Sequence, residues 1–335
     1  MRDRRSACHP PTVHQALAFG GLLVLVGGCA FAPLHTPLRA TPLLPADIAA
    51  YYDYPEHHPQ ATRELIRARP PYREFLIHFP LSVPPGFEPT ESTVELEWFE
   101  STAPGRRPAI LFNPILGGDY PIERGLCRTL ASHGFHVALV HRKTLKIGPD
   151  QDVVHLERLL RQGVLRIRQA VDWMSAQERV DPNRLGSFGI SMGGIATVMA
   201  AAAEPRLRCH MVALAGGSLT DVLISSRDPL LAKPRARYLA HRHMDLKTLE
   251  AQLRQTIKTD PILLAPYVDP QRLFLVIALA DHTIGRANAL RLRRALGDPP
   301  TVFLPLGHYT AYFSLPYLNY ASLRFFSRTL APAQP

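Results

Sequence analysis

The chain has 335 residues, 46% of them apolar and 20% charged, which is enough for the core of one large or two ordinary domains and too apolar for a disordered chain. A formal charge of +10 would suit a nucleic-acid partner. The arginines are nevertheless spread over several predicted helices and interleaved with acids, with no dense basic run and no nucleic-acid motif, so no such partner is expected.

The first 28 residues read as a targeting segment. Arg2, Arg4 and Arg5 make a charged start, and Ala16 to Val26 is an apolar run too short to span a bilayer, which takes about 20 residues. The run ends in Leu25-Val26-Gly27-Gly28-Cys29, which resembles the lipobox of bacterial lipoproteins. That resemblance implies cleavage before Cys29 and diacylation of its thiol. With Ala30 following, it also implies a lipid-anchored protein on the periplasmic side of the outer membrane. An ordinary secretory signal or an uncleaved anchor are the other readings. Residues 29–71, rich in Pro, Tyr and His, are expected to form a tether and an arm lying across the domain that follows. Cleavage removes Cys8, and Cys127 and Cys209 are expected as buried free thiols. No Cys/His spacing suggests a metal.

The domain proper is expected over 72–335. Tyr72 to Pro80 and Ser92 to Phe99 read as strands, the second alternating apolar and polar residues like a half-buried antiparallel strand. Pro108 to Pro114 is a continuous apolar strand followed by Ile115-Leu116-Gly117-Gly118. A helix is predicted from about Ile122 to Ser132, then a strand to Val140 and a long amphipathic helix within Asp152 to Gln177. Leu185 to Ile190 is a short apolar strand, and an Ala-rich helix follows Ser191. Beyond it come the strand Met211 to Ala215, an insertion of about fifty residues (218–270), and the strand Leu273 to Ala280. A helix near Ala287 to Leu296, the strand Thr301 to Pro305 and a closing helix complete the order. Such alternation predicts an α/β fold with a mainly parallel, doubly wound sheet, whose ligands bind at the strands' carboxyl ends.

The pattern Gly189-x-Ser191-x-Gly193 falls between a strand and a helix, the context that a nucleophile elbow requires. There the turn raises the serine hydroxyl above the sheet and puts the Met192 N–H at a helix start, suited to stabilising an oxyanion. A serine needs a base to take its proton and an acid to orient that base. Asp281, directly off its strand, and His308, in Pro305-Leu306-Gly307-His308, follow Ser191 in the order this arrangement demands. Asp221 is the rival acid, and His282 reads as a solvent-facing neighbour. The second oxyanion donor is expected from the Ile115 N–H, with Leu116 next in line.

Together these residues resemble the α/β-hydrolase superfamily over about 72–330, and Asp181 to Gly194 is similar to its esterase, dienelactone-hydrolase-like or acyl-peptidase-like branch. The resemblance implies a serine hydrolase that cleaves small-molecule or lipid carboxylic esters through an acyl-enzyme, without a metal or other cofactor. It also implies that 218–270 is a helical cap, here basic in Lys233 to Arg237 and His241 to His243. One departure is that the loop usually written His-Gly is Asn113-Pro114. An acyl-peptide or amide hydrolase is the second reading, and a non-catalytic envelope-associated binding protein on the same fold the third.

Overall fold

The architecture is built outward from Pro108 to Phe112, a run buried without interruption. A strand apolar on both sides must have cover on both faces, which places it inside a sheet rather than at its edge. In the computed structural model, which describes residues 40–56, 60–117, 119–142 and 148–332, this run is the core of β4 (Arg107–Asn113). It lies parallel to β5 (His136–Val140) on one side and β6 (Val180–Ile190) on the other. Three further strands extend the parallel half: β7 (Leu207–Ala213), β8 (Leu273–Ala278) and β9 (Thr301–Leu304). The antiparallel half is β1 (Thr62–Arg69), β2 (Tyr72–Pro80) and β3 (Thr93–Ser101), giving the order β1-β2-β3-β5-β4-β6-β7-β8-β9. The fold is thus the mostly parallel α/β sheet expected.

Helices cover both faces. In chain order they are α1 (Ala46–Tyr51), α2 (Pro121–Ser132), α3 (Val153–Ser175), α4 (Met192–Ala203), α5 (Leu219–Ser225), α6 (Pro229–His241), α7 (Leu246–Thr256), α8 (Pro261–Leu264), α9 (Arg286–Ala295) and α10 (Leu315–Thr329). One hydrophobic cluster joins the sheet to α3, α4 and the insertion helices through Leu160, Val171, Val198, Leu219 and Leu253. The other joins the opposite face to α2 and α10 through Leu126, Leu130, Leu318 and Phe326. Cys127 and Cys209 are buried and free, as expected. No helix among the described residues is long and apolar enough to cross a membrane.

Two local readings change. Part of the expected arm, Thr62–Arg69, is an edge strand paired with β2. Every one of its side chains is exposed, so it carries no inward and outward alternation to betray it. The strand β3, read as half-buried, is covered on both faces from Leu96 onward. Its Glu97 is 3% exposed and lies under the Arg124 guanidinium and the His141 ring. Burial pushes its carboxyl up, but those hydrogen bonds and charges outweigh it and hold the group down at about 2. Residues 51–54 of the arm are fastened by tyrosines: Tyr51 donates to Glu157, Tyr52 to Thr259 and Tyr54 to Asp172.

Two histidines inside the sheet set an acid sensitivity. His136 stacks on Trp98 at 5.3 Å, and His210 pairs with the Ser187 hydroxyl at 2.8 Å. Burial pushes their imidazoles down, to about 4 and about 3, from the ordinary 6.5. In the unfolded chain both rings take up a proton as the pH falls through 6.5, whereas in the folded chain they do so only near 4 and 3. Stability therefore drops as the pH falls through that window. Thermal melts between pH 7 and 4 will show a falling Tm, and His210→Gln will flatten the slope. An unchanged slope would show that His210 takes no part.

Candidate active site

Strands β4, β6, β8 and β9 are mutually parallel, so their carboxyl ends and the loops that leave them share one edge of the sheet. At the end of β6 the chain turns into α4 through Ser191, at φ 57° and ψ −120°. A non-glycine residue there is strained by about 1–3 kcal/mol and persists only where its surroundings dictate it. They do so here. The Ser191 N–H donates to the Ala213 carbonyl at 2.9 Å, and its carbonyl accepts from the Ile195 N–H at 3.1 Å. A Cβ on Gly189 would stand 2.1 Å from the Gly193 oxygen, one on Gly193 1.9 Å from the Asn113 oxygen, and one on Gly194 2.8 Å from the Ala213 oxygen. The turn is possible because strand, helix and the loop after β4 meet backbone to backbone.

The Ser191 hydroxyl lies 2.9 Å from His308 Nε2, and His308 Nδ1 lies 2.7 Å from Asp281 Oδ2. A carboxylate only accepts, so Nδ1 carries the proton toward Asp281 and Nε2 is left to accept from the serine. The two loops are drawn together by a bond between their backbones, Ala280 N–H to Leu306 C=O at 3.0 Å. Asp281 is 5% exposed, and its Oδ1 accepts from the N–H groups of Thr283 and Ile284 at 2.8 and 2.9 Å. Those two amides fix the carboxylate's orientation. Asp221, the rival acid, is instead bound by Arg254 at 2.6 Å and by Arg291. His282 is exposed, as read.

The two residues expected from the sequence as oxyanion donors divide. Met192 is the first residue of α4, so its N–H has no partner within the helix and faces the elbow end. The Ile115 N–H, by contrast, donates to the buried Glu123 carboxylate at 2.8 Å. Sequence spacing gave no sign of this. Glu123 lies in the first turn of α2, eight residues on, and the bond exists because the loop folds back over that helix end. The Arg142 guanidinium donates to the carbonyls of Pro114 and Ile115, both at 2.8 Å, so the loop is held from two sides. Asn113, which stands where the related loops carry histidine, donates its amide to Thr197 Oγ1 at 3.0 Å and ties the loop to α4. Cys29 and the leader lie outside the described residues, and so does Gly118. Among the described residues no group of three or more His, Cys, Asp or Glu could hold a metal ion.

Sheet order, elbow and the three converging loops are those of the α/β-hydrolase fold. The family described as PETase, PET hydrolase-like, matches residues 122–227. An uncharacterized protein of Mycobacterium tuberculosis (strain H37Rv) is 26% identical over 168 residues, a match that covers 49% of this chain and 37% of that relative. Among solved structures, acetyl xylan esterase from Paenibacillus sp. R4 superposes with a TM-score of 0.63 at 16% identity, covering 84% of this chain and 92% of its own. Acetyl xylan esterase 1 from Thermoanaerobacterium sp. JW/SL YS485 gives 0.60 at 16% identity, covering 85% and 95%. The acylaminoacyl peptidase of Pyrococcus horikoshii gives 0.56 at 14% identity, covering 82% of this chain and 50% of that one. At such identities the likeness is one of fold.

The close approach at Gly193 is testable by itself. Gly193→Ala would drive a Cβ into backbone that cannot yield as a side chain can. It will lower Tm by several degrees or prevent folding, while Gly163→Ala, where a Cβ meets nothing within 4 Å, will not lower Tm. Equal melts for the two variants would mean that the elbow has slack.

Proposed function

We propose that the protein is a serine hydrolase of carboxylic esters that works through an acyl-enzyme, with Ser191 as nucleophile, His308 as base then acid, and Asp281 as the orienting acid. The observation that carries this reading is the hydrogen-bonded row of the three side chains, built on a strained serine at the end of β6. In the first half-reaction His308 Nε2 would take the Ser191 proton as the oxygen attacks the ester carbonyl. It would then give that proton to the departing alkoxide. Water would repeat the sequence on the acyl-enzyme and release the acid.

The negative oxygen of the tetrahedral species needs donors at the elbow. Met192 N–H is one. With the Ile115 N–H bound to Glu123 in this conformation, we assign the second donor to Leu116, the next N–H of the loop, rather than to Ile115. The esterase names of the superposing structures and the PET hydrolase-like family support an ester over an amide. The amide reading keeps the superposition with the acylaminoacyl peptidase in its favour, although this chain covers only 50% of that protein. An ester panel set against an aminoacyl-amide panel decides between them. On this reading the insertion over 218–270 is a cap. Its basic stretch has structural duties, since Arg235 donates to the carbonyls of Leu223 and Ser226, while Lys233 and Arg237 stay exposed.

Ser191→Ala will abolish labelling by a fluorophosphonate and lower ester turnover by roughly 10⁴-fold. Asp281→Asn will be nearly as inactive, and Asp221→Asn will turn over at close to the wild-type rate. Near wild-type turnover of Ser191→Ala would end the serine mechanism, and the reverse ranking of the aspartates at equal Tm would move the acid to Asp221.

We further propose that the protein is a lipoprotein anchored through Cys29, on the periplasmic side of the outer membrane. The reading is supported by the apolar run that ends in Gly27-Gly28-Cys29. Two acyl chains suffice for stable attachment where one is marginal. Intact-mass analysis of the mature protein will find a lipidated terminal cysteine, and Cys29→Ala will leave the membrane fraction or accumulate unprocessed. A mature protein without lipid on that residue would refute the anchor.

A further inference from the structure

A carboxylate from the insertion reaches both loops that carry the proposed acid and base. Asp228 caps the N-terminus of α6, its Oδ1 accepting from the Leu230 N–H at 2.9 Å. Its Oδ2 accepts from two hydroxyls, Tyr309 Oη at 2.6 Å and Thr283 Oγ1 at 2.7 Å. Tyr309 directly follows His308 and sets its ring edge-on to the imidazole at 5.6 Å. Thr283 lies two residues beyond Asp281 and donates its own N–H to the Asp281 carboxylate. One oxygen atom therefore holds the flank of each loop. The side chain is 7% exposed, so these bonds compete with little water. Burial pushes the Asp228 carboxyl up, but the hydrogen bonds from Tyr309, Thr283 and Leu230 and the nearby His308 outweigh it and leave it below the usual carboxylate range. Burial and the same carboxylate push the Tyr309 phenol up to about 12, so the pair stays phenol and carboxylate around neutral pH.

A cap that served only to cover a pocket would have no need of a buried anionic contact beside the triad. We infer that Asp228 is a positioning residue that docks the insertion onto the Asp281 and His308 loops together, so that the alignment of the row depends on the seating of the cap. The inference rests on the hydrolase reading above. Its effect is on the alignment of His308 between Ser191 and Asp281, a matter in which about 1 Å can cost a hundredfold in rate. The preceding turn is braced to deliver the carboxylate: Asp228 N–H donates to Ser226 Oγ, and Arg235 donates to the carbonyls of Leu223 and Ser226.

The test compares Asp228→Ala, Asp228→Asn, Tyr309→Phe and Thr283→Val in the full chain. Asp228→Ala will lower kcat by about 10- to 100-fold while KM changes little, because alignment rather than binding is lost. Asp228→Asn, whose amide oxygen can still accept from both hydroxyls, will recover much of that rate. The Tyr309→Phe and Thr283→Val pair will match Asp228→Ala and add little on top of it, as groups acting through one atom should.

A second readout needs no turnover. The His308 Nδ1–H bonded to Asp281 gives a downfield proton resonance, assigned by its loss in His308→Gln. In Asp228→Ala it will move upfield or broaden. A wild-type kcat with an unmoved resonance in Asp228→Ala would overturn the inference, as would a lowered Tm as the sole change. If Asp228→Ala does not fold, Asp228→Asn and Tyr309→Phe carry the same comparison. If the wild-type protein shows the resonance but neither hydrolyses esters nor reacts with a fluorophosphonate, the hydrolase reading fails, and the resonance still decides what Asp228 does.

Discussion

The Asn113 carbonyl occupies the place where a side chain on Gly193 would begin. That contact sets the distance between the loop after β4 and the first turn of α4, and much else follows from it. With the loop so close, Ser191 can be held at φ 57°, because the backbone on three sides leaves no relaxed alternative. The Asn113 amide on Thr197, which itself donates to the Gly193 carbonyl at 2.9 Å, locks the same approach from the side-chain level. A histidine in that position would present a ring instead of a short amide. The exchange to asparagine thus belongs to the geometry of the turn.

Parallel pairing does the remaining work of assembly. Strands β8 and β9 are in register from Leu275 opposite Thr301 to Ala278 opposite Leu304, so they end level with each other. The pairing then runs on beyond the strands through Leu279 N–H to Leu304 C=O and Ala280 N–H to Leu306 C=O. Asp281 and His308 are the first residues free to leave that ladder with side chains aimed across it. The separation of 27 positions between them in sequence becomes a single hydrogen bond of 2.7 Å. Rigid strand ends deliver these groups more accurately than long loops could, which is why Asp221, six residues beyond Ala215 on a Gly-rich connection, turns to the arginines instead.

Much of this is legible in the amino-acid sequence alone. The elbow glycines, the apolar strands and the order serine, aspartate, histidine all express short-range steric rules that leave marks in sequence. What stayed hidden was of another kind. The strand β1 shows no pattern because all its side chains are exposed, and only pairing with β2 makes it a strand. The acids of β3 looked solvent-facing because alternation cannot reveal that Arg124 and His141 lie above them. Glu123 and Asp228 act on residues 8 and 81 positions away respectively, through folds of the chain that no local spacing encodes.

The Glu123 contact also constrains how the loop after β4 could serve as the proposed oxyanion loop. A carboxylate is a poor neighbour for a developing negative charge, and here it is buried with one oxygen lacking a partner among the described residues. The Arg142 guanidinium on the carbonyls of Pro114 and Ile115 sets an opposite charge beside the same loop. With the Ile115 N–H drawn toward Glu123 and its C=O toward Arg142, the peptide planes on both sides of Ile115 are fixed. The plane between Ile115 and Leu116 carries the Leu116 N–H, and trans geometry directs that N–H opposite to the Ile115 carbonyl. Because that carbonyl is spent on Arg142, the Leu116 N–H is turned away from the guanidinium. On the proposed reading, the two side chains that engage the Ile115 N–H and C=O thereby orient the Leu116 N–H.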